Sequence, residues 1–190
     1  PRYEADLARV RAFWAGAERL MVSLYPAGAA YRQVFDTERV LAAVPKQLEA
    51  QGRLPGINIP SFWPDYGTVS TAKYWGCQPR FDSTGGNIFV DPLVRTIDET
   101  EALQPDAIES PEQDGAKALQ LFHALEERLG TERLWLRSPD MQGPLNTAGL
   151  VMNQEELFMA MYETPDKVHA YLRRVTDFLI RYAQYLRAGS

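Results

Sequence analysis

Gly56-Ile57-Asn58-Ile59-Pro60-Ser61-Phe62 runs straight into Trp63-Pro64-Asp65-Tyr66-Gly67, a loop rich in aromatic residues, proline and glycine. Arg133-Leu134-Trp135-Leu136-Arg137 runs in the same way into the loop from Ser138 to Asn146. Both are apolar runs of strand length bounded by punctuating residues, and a helical pattern follows each loop. A further run, Leu20-Met21-Val22-Ser23-Leu24, is strand-like but reads equally as helix. Strand, loop, helix, repeated, is the order of parallel α/β architecture.

The helices read outward from these strands. Residues Asp6 to Ala15 predict a first helix with Leu7, Val10, Arg11 and Trp14 along one side. Thr37 is a candidate cap for a second, with Val40, Leu41, Val44 and Leu48 at helical spacing and Gly52 at its end. Pro45 within that pattern predicts a kink or an early stop. Thr68 to Trp75 reads as helix, Cys77 to Pro92 as a strand or hairpin region turning at Thr84-Gly85-Gly86-Asn87, and residues 100–109 as a weakly patterned connection. Ser110-Pro111-Glu112-Gln113 has a capping residue, proline at the first helical position and a capping-box partner. Leu119, Phe122, Leu125 and Leu129 continue that helix to Gly130. Asn153 caps another through Tyr162, and Thr164-Pro165 starts the longest, with the stripe Val168, Tyr171, Leu172, Val175, Phe178, Leu179, Tyr182 and Leu186.

In a parallel α/β barrel the loops after the strands form the active-site face, and a whole barrel takes about 250 residues and eight strands. This sequence of 190 residues offers fewer strands and ends just after a helix. The expectation is an α/β chain forming part of a (β/α)8 TIM-type barrel with extra N-terminal helices. Residues 1–190 would be the N-terminal portion of one barrel domain, stopping before closure. With an unpaired edge strand and a last helix short of neighbours, such a piece is expected to be marginally stable, prone to self-association and without turnover.

Composition narrows the function. An apolar fraction of 45% and a charged fraction of 24% are those of a globular protein. A net charge of -5 argues against nucleic acid as a partner. No apolar stretch reaches the roughly 18–20 residues of a spanning helix, and no basic run marks a membrane surface. One cysteine, Cys77, makes no internal disulfide, which fits a reducing, cytoplasmic setting. With His123 and His169 as the only histidines, a zinc site from this chain alone is not expected.

Gly143-Pro144-Leu145-Asn146-Thr147-Ala148, followed by the run from Glu155 to His169, resembles the uroporphyrinogen decarboxylase superfamily: a "G-P-x-T-x-A" loop at a strand end, then "LLYEDPE-x-VH" on a helix. Ala72-Lys73-Tyr74-Trp75-Gly76-Cys77 resembles its "A-x-x-x-G" segment, and Asp91-Pro92 its proline after the hairpin. The likeness extends loosely from about Leu20 to the C-terminus. It implies a (β/α)8 barrel and, for the decarboxylases, a lyase of porphyrin biosynthesis acting on a polycarboxylated tetrapyrrole without metal or organic cofactor. A strand-end aspartate there stabilises the cationic intermediate, and Asp65 is the match in this sequence. The family's "R-Q-A-G-R-Y" loop corresponds to Tyr25-Pro26-Ala27-Gly28-Ala29-Ala30-Tyr31-Arg32, which keeps Ala-Gly and lacks the flanking arginines. Neither tyrosine nor alanine can supply bidentate pairing to a carboxylate, which counts against true uroporphyrinogen decarboxylation. The superfamily also includes methyltransferases that serve corrinoid proteins and thiols through a zinc held by residues of the second half of the barrel.

The candidate site follows from both lines of reading. Asp65 is the candidate catalytic carboxylate, against the plainer role of a turn-forming aspartate. Trp63 and Tyr66 are candidates to stack on a flat ligand, and Arg137, Asp140, Gln142, Asn146 and Thr147 to bind it. Packing, loop hydrogen bonds, surface pairing or, for Thr147, helix capping are the alternatives. Asp65, Arg137, Asp140 and Gln142 are expected to face one cavity. No metal and no cofactor is expected within this chain, while zinc or a corrinoid remains open for a downstream half. The expected activity is decarboxylase-type chemistry on a tetrapyrrole or small carboxylated ligand. Corrinoid-linked methyl transfer, with a corrinoid protein as partner, is the alternative; a non-catalytic small-molecule-binding barrel, even a sugar binder, is the other class. A homodimer is a candidate assembly.

Overall fold

The computed structural model describes residues 2–17, 36–54, 56–84, 87–130 and 134–190. The run Leu20 to Leu24, the stretch Tyr25 to Arg32, Gly85 and Gly86 of the hairpin turn, and Arg133 lie outside the described residues.

In chain order the elements are α1 (Arg2–Trp14), α2 (Thr37–Gly52), β1 (Ser61–Phe62), α3 (Ser70–Lys73), β2 (Pro79–Phe81), β3 (Ile88–Val90), a 3-10 turn (Asp98–Ala102), α4 (Asp114–Leu129), β4 (Trp135–Leu136), α5 (Pro144–Val151), α6 (Gln154–Glu163) and α7 (Pro165–Ala188). The fold is α/β, mostly helical with few short strands. β1 and β4 pair in parallel, Ser61 beside Trp135 and Phe62 beside Leu136. The Trp135 N–H donates to the Pro60 carbonyl at 2.9 Å and the Arg137 N–H to the Phe62 carbonyl at 2.8 Å. β2 and β3 form the expected hairpin, from Pro79 opposite Val90 to Phe81 opposite Ile88. Among the described residues the parallel sheet is two strands wide, and closure of a barrel is not seen.

The longest helix organises the larger core. Val168, Tyr171, Val175, Phe178, Leu179, Tyr182 and Leu186 of α7 are all buried, as their spacing predicts. Tyr74 packs on Phe178 and Tyr182 with ring centroids 5.1 and 5.3 Å apart, and Trp75 meets Tyr171 and Phe178 edge-on. A second cluster of Val40, Val44, Phe62, Leu121, Phe122, Leu125 and Leu134 joins α2, α4 and the parallel strands.

Local signals were overridden where tertiary contacts compete. α2 does not stop at Pro45; it continues to Gly52. A proline there forfeits a hydrogen bond, at about 3 kcal/mol, but Val40 and Val44 bury the same face against α4. Its cap is Asp36, which accepts from the Arg39 N–H at 3.1 Å, not Thr37. Trp14 is 78% exposed, while α1 turns Asp6 inward, where it accepts from the Asn58 N–H. α4 begins at Asp114 rather than at Ser110-Pro111, and Gln113 donates to Asp106 instead of closing a capping box.

The late start of α4 has a cause in the core. Asp114, fully buried, pairs with Lys73 of α3, and the next residue's N–H, on Gly115, donates to the Tyr74 hydroxyl at 3.0 Å. Gly115 is where α4 meets that aromatic cluster. A Cβ there would lie 2.6 Å from Tyr182 Cε2 and 2.8 Å from the Tyr74 hydroxyl. Gly115→Ala is therefore expected to cost about 1–3 kcal/mol by overpacking despite alanine's better helix propensity. Chemical denaturation checks it, and unchanged or raised stability would contradict this packing.

Candidate functional site

Parallel pairing sets the geometry of the site. Both strands point the same way, so the loop after Phe62 and the loop after Leu136 leave the sheet at one edge. Trp63 opens the first loop and Arg137 the second. The Arg137 guanidinium lies 5.0 Å from the centre of the Trp63 ring, a cation–π contact bridging the two loops. Trp63 remains 41% exposed.

Asp65 sits at the turn of the first loop. Its Oδ1 accepts from the Gly67 N–H at 2.9 Å, and Gly67 takes a φ of 75°, which suits glycine. The turn-forming role is therefore real, yet the carboxylate is also perturbed. Burial raises its pKa, the Gly67 hydrogen bond pulls it back, and the negative charge of Asp140 raises it further. The charge of the second loop is thus felt at the carboxylate of the first.

A chain of hydrogen bonds orders the second loop. Gln142 Nε2 donates to Asp140 Oδ1 at 2.9 Å, and Asn146 Nδ2 donates to Gln142 Oε1 at 3.1 Å. Asp65, Arg137, Asp140 and Gln142 thus belong to loops at one edge of the sheet. They do not line the cavity of about 590 Å³ between residues 105–109 and the last turns of α7.

Two expected ligand contacts stand behind this edge instead. Tyr66 is 1% exposed and packs with Ala118, with Lys73 Nζ 5.9 Å from its ring centre. An apolar ring beside a tightly packed helix gains more from burial than from an open stacking position. Thr147 is fully buried on α5; its hydroxyl lies 3.0 Å from that of Thr71 and also donates to the Gln142 carbonyl at 3.3 Å. It does not cap α5, whose N-cap is Gly143.

The sequence did not single out Thr71, Lys73 or Asp114. Lys73 and Asp114 are 41 residues apart, and no local pattern announces such a pairing. Burial, with the charge of Asp114 adding to it, drives the hydroxyl pKa values of Tyr66, Tyr74 and Tyr182 well above the ordinary tyrosine range.

Among the described residues no three His, Cys, Asp or Glu side chains gather as a metal site would require. Cys77 is 2% exposed and burial pushes its thiol up to about 11, which disfavours the thiolate a zinc ion needs. His123 lies on an exposed helix face, paired with Glu126. These residues do not fit the zinc used by the superfamily's methyltransferases. Among the described residues no helix is long and apolar enough to cross a membrane.

The family profile described as uroporphyrinogen decarboxylase (URO-D) matches residues 66–189, more than half of the chain, beginning one residue after Asp65. A solved structure of a methyltransferase from Methanosarcina mazei superposes with a TM-score of 0.65 at 15% identity, covering 96% of this chain and 55% of its own. The chain spans about half the length of that structure, and at this identity the likeness is one of fold. No curated protein matches the sequence.

The raised pKa of Asp65 links the site to stability. A group with a higher pKa folded than unfolded adds stability that is complete below the unfolded value and is lost as pH rises through the folded one. The melting temperature of the wild type relative to Asp65→Asn should therefore fall as pH rises from the acid side through the carboxylate range to neutrality. A difference that grows with pH would show that the folded site stabilises the carboxylate.

Proposed function

The chain belongs to the uroporphyrinogen decarboxylase (URO-D) family, and from that premise we propose that it carries part of the active site of an enzyme performing decarboxylase-type chemistry on a carboxylated ligand, small or tetrapyrrolic. Its parallel pair is read as part of a (β/α)8 barrel domain whose strand-end loops hold the site. The observation that carries the functional reading is the delivery of the Asp65 and Asp140 loops to one end of the parallel pair, where burial, with the charge of Asp140 adding to it, raises the proton affinity of Asp65.

Decarboxylation breaks a C–C bond, releases CO2 and leaves an electron pair on carbon that must take up a proton. Asp65 suits that proton transfer, because a pKa moved upward toward the working pH improves a carboxyl group as general acid. The Arg137 guanidinium, held against Trp63, offers a planar fork to a ligand carboxylate. The exposed part of Trp63 can lie against a flat ligand, and the amides of Gln142 and Asn146 belong to the second loop at the same end of the sheet. Tyr66 and Thr147 support the loops from behind. Two aspartates at this edge disfavour a ligand crowded with carboxylates, which directs the reading toward a substrate with few of them.

Corrinoid-linked methyl transfer is the second reading, favoured by the structural likeness to a methyltransferase. It needs metal ligands from outside the described residues.

The longest reading frame containing this chain should be assayed for ¹³CO2 release from uroporphyrinogen and from labelled small mono- and dicarboxylic acids. The same preparation should be tested for methyl transfer from methylcobalamin to a thiol. The proposal expects CO2 release from at least one acid, lowered on the order of 100-fold or more by Asp65→Asn, as for loss of a general acid. Methyl transfer without CO2 release would overturn it in favour of the second reading, and substrate binding without either activity in favour of a binding protein.

A further inference from the structure

We propose that Thr71 and Thr147 are positioning residues, whose buried hydroxyl contact fixes the loop carrying Asp65 against the loop carrying Asp140. The inference rests on the reading of those two aspartates as the site. Thr71 lies on α3, the helix that follows the Asp65 turn, and Thr147 on α5, the helix that follows the Asp140 loop. Both are fully buried, and their Oγ1 atoms are 3.0 Å apart.

Either hydroxyl can donate across this contact. A threonine hydroxyl has one proton to give, so when that of Thr147 goes to the Gln142 carbonyl at 3.3 Å, Thr71 donates to Thr147. From Gln142 the chain continues through its side chain to Asp140. On the other side, the Ser70 N–H donates to the Gly67 carbonyl at 3.2 Å, and the Gly67 N–H donates to Asp65. The result is a closed circuit: from Asp65 through Gly67 and α3 to Thr71, across to Thr147, through Gln142 to Asp140, and back to Asp65 through the interaction of the two charges.

Apolar packing holds α3 against α5 without specifying their mutual offset, because it is not directional. A hydrogen bond is directional and fixes that offset. The charges around this circuit are Asp140 from the second loop, Arg137 stacked on Trp63, and Lys73 near the Tyr66 ring with its partner Asp114. A change in the offset should therefore register in the proton affinity of Asp65, which burial, the Gly67 hydrogen bond and the charge of Asp140 set together.

The test is a ¹³C-carboxyl NMR titration of Asp65, assigned with Asp65→Asn, in the wild type and in Thr71→Val, Thr71→Ser, Thr147→Val, Thr147→Ser and Asp140→Asn. Asp140→Asn should move the Asp65 midpoint down toward the ordinary aspartate value. Each valine variant should move it in the same direction, and each serine variant should hold the wild-type midpoint. An Asp65 midpoint that responds to Asp140→Asn but not to either valine overturns the positioning role and leaves the site intact. No response to Asp140→Asn overturns the site reading and this inference with it. Valine variants that fail to fold while their serine counterparts fold would assign the hydroxyls to fold maintenance and overturn the proposal.

Discussion

The parallel alignment of β1 with β4 is the constraint on which the rest depends. Each strand is only two residues long, so the ladder adds little stability of its own. Its contribution is direction. Strands that run the same way release their following loops at the same edge, whereas an antiparallel arrangement would have sent Asp65 and Asp140 to opposite ends of the sheet. The strands hold this alignment because their inner residues belong to a core: Phe62, Leu134 and the face of α4 bury together with α2. Burial of Asp65 then raises its proton affinity, and the charge of Asp140 on the neighbouring loop adds to it.

Beneath the site lies a different kind of order. The Lys73–Asp114 pair is almost wholly enclosed, surrounded by Tyr66, Tyr74 and Tyr182, whose ionisation the aspartate charge opposes. Desolvating two charges offsets much of what their attraction returns, so such a pair is better understood as specifying an arrangement than as adding stability. Here it decides where α4 begins and how α3 meets it. Because α3 also carries Thr71, the ion pair and the hydroxyl bridge act on one short helix from two sides. That helix of four residues makes more directional contacts than its length would lead one to expect.

Much of this was legible in the sequence because it depends on local periodicity. The stripe of α7, the hairpin, the cap at Asn153 and the two strand–loop transitions follow from spacing and punctuation alone, and the resemblance in residues 143–169 identified the family. What escaped depends on partners distant in the chain. Ser110-Pro111 has every local mark of a helix start, yet Asp114 takes that role because Lys73 holds it. Tyr66 and Thr147 look like ligand contacts in a loop and at a strand end, and both are interior. Thr71 carries no mark at all, since a threonine in a short helix is unremarkable until Thr147 is found opposite. Asp65 shows both of its meanings at once, making the turn and carrying the shifted proton affinity.

The most direct test of the account is native-state amide hydrogen exchange at Trp135 and Arg137. These N–H groups donate to Pro60 and Phe62 across the parallel pair and so report the alignment itself. The account predicts protection at both amides, lost together and comparable to that of the strand-supporting residues of α4. Fast exchange at Trp135 and Arg137 while α4 and α7 remain protected would contradict it, because the two loops would then lack the common edge on which the site is built.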